Sequence, residues 1–142
     1  MTRRVRQRTT VRSYGILVDE SRVVLVRSSN PHHNPPLWWL PGGGIDFGEA
    51  PEEALIREFA EETGLAVGDP QLLAVTSDER RRDNGERMHT VRILYTVRLF
   101  GGSMRDEADG TTDLARWFAL RELGDVNLAD YARRALELVQ SK

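Results

Sequence analysis

The sequence contains no cysteine among its 142 residues. Disulfide bonds and thiolate metal sites are therefore excluded, and any bound metal ion would depend on oxygen or histidine ligands. The chain also lacks an apolar run near the ~18 residues that a membrane-spanning helix requires, and no apolar signal-type segment follows its basic start. These absences predict a protein without membrane contact and, by default, a cytoplasmic location.

Lysine is almost absent as well, because Lys142 is the single lysine and arginine supplies the other positive charges. The net charge is −2, with 30% charged and 39% apolar residues, a balance typical of a soluble globular protein. We predict one domain over residues 1–142, with residues 1–10 as a flexible basic leader. The negative net charge disfavours nucleic acid as the main partner, although an RNA-binding arm at the basic start of the chain is an alternative.

Patterns of alternating and β-branched apolar residues predict a chain rich in strands. The predicted strands cover residues 11–18, 23–27, 37–40, 71–77, 88–100 and 114–120. Loops are expected at residues 28–36, which include His32 and His33, and at the charged residues 77–86. We expect the two histidines to contact solvent or substrate rather than metal. Helices over residues 51–63 and 128–140 complete an α+β order with a mixed sheet between helices.

One stretch, residues 41–65, joins a glycine-rich loop to the first predicted helix. On this helix Glu58, Glu61 and Glu62 stand at i, i+3 and i+4, so their carboxylates share one stripe, where we expect Glu62 to be exposed. Such like charges repel by roughly 0.2–0.5 kcal/mol per pair. A stripe of this kind is usually a solvated face, but a divalent cation such as Mg²⁺ or Mn²⁺ would also offset the repulsion.

The combination of loop and helix matches a longer motif. Gly43, Glu49 and the run from Arg57 to Leu65 fit Gly-x5-Glu-x7-Arg-Glu-U-x-Glu-Glu-x-Gly-U, with U apolar, at every specified position. This stretch resembles the Nudix box. The resemblance implies a Nudix α/β/α sandwich with a mixed sheet between helices. It also implies metal-dependent hydrolysis of a nucleoside diphosphate linked to another group.

The same resemblance assigns roles to individual residues. It implies a metal site built from Glu58, Glu61, Glu62 and a backbone carbonyl of Gly42 or Gly43. In this site Glu58 and Glu62 are direct ligands, whereas Glu61 binds directly or through water. Arg57 and Glu49 are expected to orient the carboxylates, since arginine can hold a carboxylate in two hydrogen bonds.

The general base and the substrate contacts are less constrained. The base is either a box glutamate or a carboxylate of a distal loop, where Glu107 is our candidate and Asp106 and Asp109 compete with it. Substrate contacts are expected from residues able to grip phosphate, stack on a base or approach closely through the backbone. These residues are Arg27, Trp39, Arg81 and Gly43.

Markers that resemble those of ADP-ribose, dinucleoside polyphosphate and NADH enzymes are absent downstream of the box. We therefore expect a small-molecule nucleotide substrate, with nucleoside or deoxynucleoside triphosphates, oxidised ones included, as the first choice. Nucleotide sugars, ADP-ribose and RNA 5′ ends are alternatives, and a non-catalytic nucleotide-binding module is a further one. The resemblance is also compatible with a homodimer.

Overall fold

The computed structural model describes residues 6–106 and 110–141. It contains a mixed β-sheet and helices, which confirms the predicted α+β class. In chain order the elements are β1 (Gln7–Asp19), β2 (Arg22–Ser28), β3 (Trp38–Trp39), β4 (Gly42–Gly44), α1 (Pro51–Thr63), β5 (Leu65–Arg81), β6 (Arg87–Gly102), β7 (Thr112–Ala119), a 3₁₀ helix (Leu120–Asp125) and α2 (Asp130–Gln140). No helix within the described ranges combines the length and apolar character needed to cross a membrane.

Strand β1 is the centre of the sheet because its two ends pair with different partners. Its first part runs parallel to β6, from Gln7 opposite Arg87 to Leu17 opposite Val97. Its last residues form the predicted hairpin with β2. The strand order is β3-β2-β1-β6-β5, while β4 also pairs with β1 and β7 pairs with β2. This arrangement places the glycines of β4 directly beside β1.

The two helices pack on opposite faces of the sheet. On one face, Leu55 and Phe59 of α1 are fully buried in a cluster with apolar residues of β1, β2 and β6. On the other face, Ala135 and Leu136 of α2 pack in a second cluster that includes Ile16 of β1. Full burial of one such large apolar side chain contributes about 1.5–3 kcal/mol. The resulting layers form the expected sandwich.

Helix α1 has the predicted bounds. Pro51 occupies its first turn, and the backbone N–H of Ala50, just outside the helix, donates to Glu53 Oε1 at 3.2 Å. Gly64 ends the helix at φ +79°, a left-handed conformation that favours glycine. The backbone N–H of Gly64 donates to the carbonyl oxygen of Ala60 at 2.9 Å. The acidic stripe is therefore held on a helix with defined ends.

Two predictions about charged segments were wrong. Strand β1 already begins at Gln7, so residues 7–10 pair with β6 and are not part of a flexible leader. Strand β5 continues to Arg81, so half of the predicted loop 77–86, residues 77–81, belongs to a long β5–β6 ribbon. The reason is that charged residues here have cross-strand partners of opposite sign, as in the ion pair of Glu79 with Arg87.

Smaller differences concern the ends of two other elements. The predicted strand 37–40 shortens to Trp38–Trp39, and helix α2 begins at Asp130 rather than at residue 128. Leu128 instead forms an isolated parallel bridge with Trp38. This bridge joins the residues before α2 to β3, the strand that precedes β4.

Candidate active site

The glycine loop and the acidic helix meet at β4. Glycine at position 43 leaves room for the Glu58 carboxylate, since a Cβ atom there would lie 2.9 Å from Glu58 Cδ. At position 42 the backbone has φ +150°, and its N–H donates to Glu62 Oε1 at 3.0 Å. Two of the three stripe carboxylates thus lie directly against the backbone of consecutive glycines.

Arg57 joins the loop to the helix. Its guanidinium donates from Nε to Glu49 Oε2 at 2.8 Å and from Nη2 to Glu49 Oε1 at 2.9 Å. Its Nη1 donates to Glu58 Oε1 at 2.9 Å, and Nη2 also reaches the carbonyl oxygen of Gly44 at 3.2 Å. The contact with Glu61 is longer, at 3.4 Å. One planar group therefore fixes the Glu49 and Glu58 carboxylates at once.

The two carboxylates held by Arg57 have opposite pKa shifts. Hydrogen bonds from Arg57 and from the backbone N–H of Asp46 lower the pKa of Glu49 to about 2. Burial raises the pKa of Glu58 above its ordinary value, and Arg57 only partly opposes that rise. Glu49 is therefore a permanent anion that holds the arginine, whereas Glu58 is a desolvated carboxylate that an additional cation would stabilise.

Glu62 was expected to be exposed, and this expectation was wrong. The residue is 5% exposed, so its carboxylate is almost fully removed from solvent. Besides the bond from Gly42, its Oε2 accepts a hydrogen bond from Thr112 Oγ1 at 3.3 Å. Thr112 is the first residue of β7, so Glu62 connects the helix to two strands.

The three glutamates lie along the same edge of α1 without converging. Within residues 6–106 and 110–141, no three acidic or histidine side chains form a group that could hold a metal ion. Glu58 and Glu61 turn toward Arg57, whereas Glu62 turns toward Gly42 and Thr112. The donor set nevertheless fits a hard divalent cation, because it offers carboxylate oxygens next to glycine backbone that leaves them room.

The residues predicted to contact substrate are dispersed. Arg27 is occupied by a two-fold hydrogen bond to Asp113, with Nε to Oδ1 at 2.9 Å and Nη2 to Oδ2 at 2.8 Å. Trp39 is half-buried in β3, where it pairs with Val26. Arg81 is the exposed last residue of β5. Only Gly43, among these predicted contacts, lies against a box carboxylate.

Of the three loop candidates for the general base, the structure describes only Asp106. Glu107 and Asp109 lie outside the described residues. The Asp106 carboxylate accepts hydrogen bonds from the backbone N–H of Ala115 at 3.1 Å and from Arg116 Nη1 at 2.8 Å, and these bonds lower its pKa. Asp106 is therefore engaged in contacts with the middle of β7.

The two histidines lie in the predicted loop. Nδ1 of His33 lies 2.8 Å from Ser28 Oγ, and the His32 backbone N–H donates to Asn30 Oδ1. These contacts hold the loop together.

Sequence reasoning missed a cluster on the α2 face of the sheet. Arg12 donates from Nε to the Tyr14 hydroxyl at 2.8 Å, and the guanidinium of Arg92 lies 4.3 Å from the ring centre of Tyr131. The rings of Tyr14 and Tyr131 are 4.9 Å apart. Arg12 and Arg92 are direct neighbours in the parallel register of β1 and β6, which no local pattern reveals.

Comparison with known proteins agrees with this geometry. A NUDIX domain model matches residues 7–140, and the chain therefore belongs to the NUDIX family. It is 34% identical over 110 residues to an ADP-ribose pyrophosphatase of Methanocaldococcus jannaschii, an alignment that covers 77% of this chain and 61% of the relative. It is 37% identical over 109 residues to an RNA pyrophosphohydrolase of Agrobacterium fabrum, covering 77% and 55%.

A solved structure shows the same fold. A MutT NUDIX hydrolase from Burkholderia pseudomallei superimposes with a TM-score of 0.77 at 33% identity, covering 93% of this chain and 98% of that one. The chain thus spans nearly all of this structural relative but only part of the two curated relatives.

Proposed function

We propose that this chain hydrolyses a pyrophosphate bond in a nucleoside diphosphate derivative, with nucleoside or deoxynucleoside triphosphates, oxidised ones included, as the substrate class. The observation that carries the proposal is the guanidinium of Arg57, which holds Glu49 and Glu58 together beside Gly43. On a solvated acidic face the carboxylates would not need an arginine that holds them in fixed positions. Family membership supports the reaction class.

The residues that would hold Mg²⁺ or Mn²⁺ are Glu58, Glu61 and Glu62 with a backbone carbonyl of Gly42 or Gly43. Hydrolysis at phosphorus requires neutralisation of the phosphate charge and a nucleophilic water, which is the chemistry that such an ion supplies when bound. The protein's own contribution is positioning. Arg57 fixes the Glu58 carboxylate, and the bonds from Gly42 and Thr112 fix that of Glu62.

Glu107 stays our candidate for the general base, with a box glutamate as the alternative. The contacts of Asp106 with Ala115 and Arg116 weigh against that neighbour. The low pKa of Glu49 weighs against a base there, since a carboxylate with a pKa of about 2 accepts a proton poorly. Cytoplasmic location and a homodimeric state also remain predictions.

The test is hydrolysis of a substrate panel with Mg²⁺ or Mn²⁺ by the wild type, Glu62→Gln and the control Glu137→Gln. The panel contains NTPs, dNTPs, 8-oxo-dGTP, nucleotide sugars, ADP-ribose, dinucleoside polyphosphates and 5′-triphosphate RNA, with products identified by mass. Glu137 is exposed on α2, so its substitution removes the same charge away from the site. We expect turnover of triphosphates by the wild type and the control but not by Glu62→Gln.

Three other results would contradict the proposal. Full turnover by Glu62→Gln would show that this glutamate is not part of the catalytic metal site. Silence of the folded wild type across the panel would favour the non-catalytic module, whereas turnover confined to ADP-ribose or nucleotide sugars would replace the substrate class.

A second candidate substrate is the 5′ end of RNA. It is favoured by the exposed arginines at the outer end of the β1–β6–β5 layer, which are Arg6, Arg8, Arg80, Arg81 and Arg82. Binding of RNA there should weaken steeply with salt, because each neutralised phosphate releases counterions. Weak, salt-independent binding of a 5′-triphosphate oligonucleotide would eliminate this candidate.

A further inference from the structure

Two arginines stand side by side on neighbouring strands. Arg12 of β1 and Arg92 of β6 are paired in register, so both side chains leave the same face of the sheet. Like charges directly opposite each other on a sheet are destabilising. Some negative or polar group must therefore compensate each of them.

Arg92 is compensated by the protein itself. It forms an ion pair with Asp78 of β5, and its guanidinium stacks on the ring of Tyr131. Its Nε is buried and has no hydrogen-bond partner among the described residues, so one hydrogen-bond donor of this side chain is unsatisfied. The positive charge next to Arg12 is thus fixed in place.

Arg12 is oriented but not neutralised. Its Nε donates to the hydroxyl of Tyr14, a residue that is 6% exposed and held against Tyr131. In the part of the chain that the structure describes, Nη1 and Nη2 of Arg12 form no hydrogen bond and no ion pair. A half-buried guanidinium with a fixed inner edge and a free outer edge is suited to bind an anion in two places.

The backbone of Arg12 lies beside the box. Arg12 pairs with Gly44 of β4 in the antiparallel ladder, one residue from Gly43 and the Glu58 carboxylate. Arg12 is close enough to Glu58 to lower the pKa of that carboxylate, against the larger effect of burial. A phosphate chain held at the glutamates would therefore extend within reach of Arg12.

We propose that Arg12, held by Tyr14 and crowded by Arg92, binds a phosphate group of the nucleotide whose pyrophosphate group lies at the box. This inference rests on the proposed function and adds to it a substrate-binding residue on the opposite side of the glycine loop from Arg57. Its contribution is to affinity and position, so its loss should raise KM more than it lowers kcat.

The experiment measures binding of an α,β-methylene nucleoside triphosphate by calorimetry in the presence of Mg²⁺, together with KM and kcat. Arg12→Gln is compared with Arg98→Gln, which removes an exposed arginine from the neighbouring strand β6. We expect Arg12→Gln to weaken binding about tenfold or more, as for loss of a charge-assisted hydrogen bond, and Arg98→Gln to change it less than about twofold.

A conservative variant guards against loss of fold. Tyr14→Phe keeps the packed ring but removes the hydroxyl that orients Arg12, so binding should weaken a few-fold with an unchanged thermal midpoint. Equal binding by Arg12→Gln and Arg98→Gln would overturn the inference even if the wild type hydrolyses triphosphates. Arg12-dependent binding without hydrolysis of any panel compound would support the inference while contradicting the proposed function.

Discussion

The guanidinium of Arg57 meets the carboxylate of Glu49 in two parallel hydrogen bonds of 2.8 and 2.9 Å. The two residues are eight positions apart, Glu49 at the end of the glycine loop and Arg57 inside α1. Because Nη1 of the same guanidinium reaches Glu58, the pair fixes both the loop and a metal-site carboxylate. The arrangement depends on the planar fork of arginine and not on its charge alone.

This dependence predicts the effect of Arg57→Lys. Lysine keeps the charge but cannot span Glu49 and Glu58, so we expect kcat to fall about tenfold or more. Because Arg57 is partly exposed, the free energy of unfolding should decrease by only about 1 kcal/mol. Steady-state kinetics and urea unfolding measure the two effects, with Arg134→Lys on the exposed side of α2 as the control. Equal kcat for both variants would contradict the role of the fork.

The same pair predicts a pH dependence of stability. The pKa of Glu49 is lowered from an ordinary 4.5 to about 2 in the folded chain by Arg57 and the Asp46 backbone N–H. A lowered folded-state pKa means that the stabilisation is complete above the unfolded pKa and is lost as pH falls from there toward the folded one. The thermal midpoint of the wild type should exceed that of Glu49→Gln by a constant amount near neutral pH. The difference should shrink between about pH 4.5 and 2. A difference that stays constant to pH 2 would exclude this linkage.

Features with local causes could be predicted from the sequence. Helix α1 has its predicted bounds because Pro51 suits a first turn and Gly64 adopts the left-handed conformation that ends a helix. The motif also predicted a joint orienting role for Arg57 and Glu49, and the structure brings their side chains into contact. The match to the motif predicted the sandwich, which the structure confirms.

Features set by strand register could not be predicted. Glu62 is buried because β4 and β7 approach its helix from different parts of the chain, and helical spacing alone contains no information about that approach. Arg12 and Arg92 are neighbours only through the parallel pairing of β1 with β6. The polarity of the charged end of β5 predicts a loop. In the structure these charges have partners of opposite sign on the neighbouring strand, which lie far away in the sequence.

The buried position of Glu62 predicts different effects for two substitutions. Glu62→Gln keeps an oxygen that can accept from the Gly42 N–H, and it removes a buried charge, so stability should change little while hydrolysis is lost. Glu62→Ala removes the acceptor of both the Gly42 N–H and the Thr112 hydroxyl, which should cost about 1–3 kcal/mol of unfolding free energy. Urea unfolding without metal compares the two. Equal stability of the two variants would show that these hydrogen bonds contribute nothing to the fold.

The sharpest test of the site uses two adjacent glycines. A Cβ atom at position 43 would lie 2.9 Å from Glu58 Cδ, whereas one at position 44 would meet no atom within 4 Å. Neither residue has a positive φ, so alanine is conformationally acceptable at both positions. Gly43→Ala should displace the Glu58 carboxylate, which is the mobile end of a side chain, without unfolding the protein.

We therefore expect Gly43→Ala to weaken Mn²⁺ binding and hydrolysis about tenfold or more, while Gly44→Ala behaves as the wild type. Electron paramagnetic resonance measures free Mn²⁺, and thermal unfolding checks that both variants are folded. If the two variants bound Mn²⁺ equally well, the closeness of Gly43 to Glu58 would have no part in metal binding, and Glu58 would lose its place as a ligand. A selective loss in Gly43→Ala would instead show that this glycine keeps the carboxylate where the cation needs it.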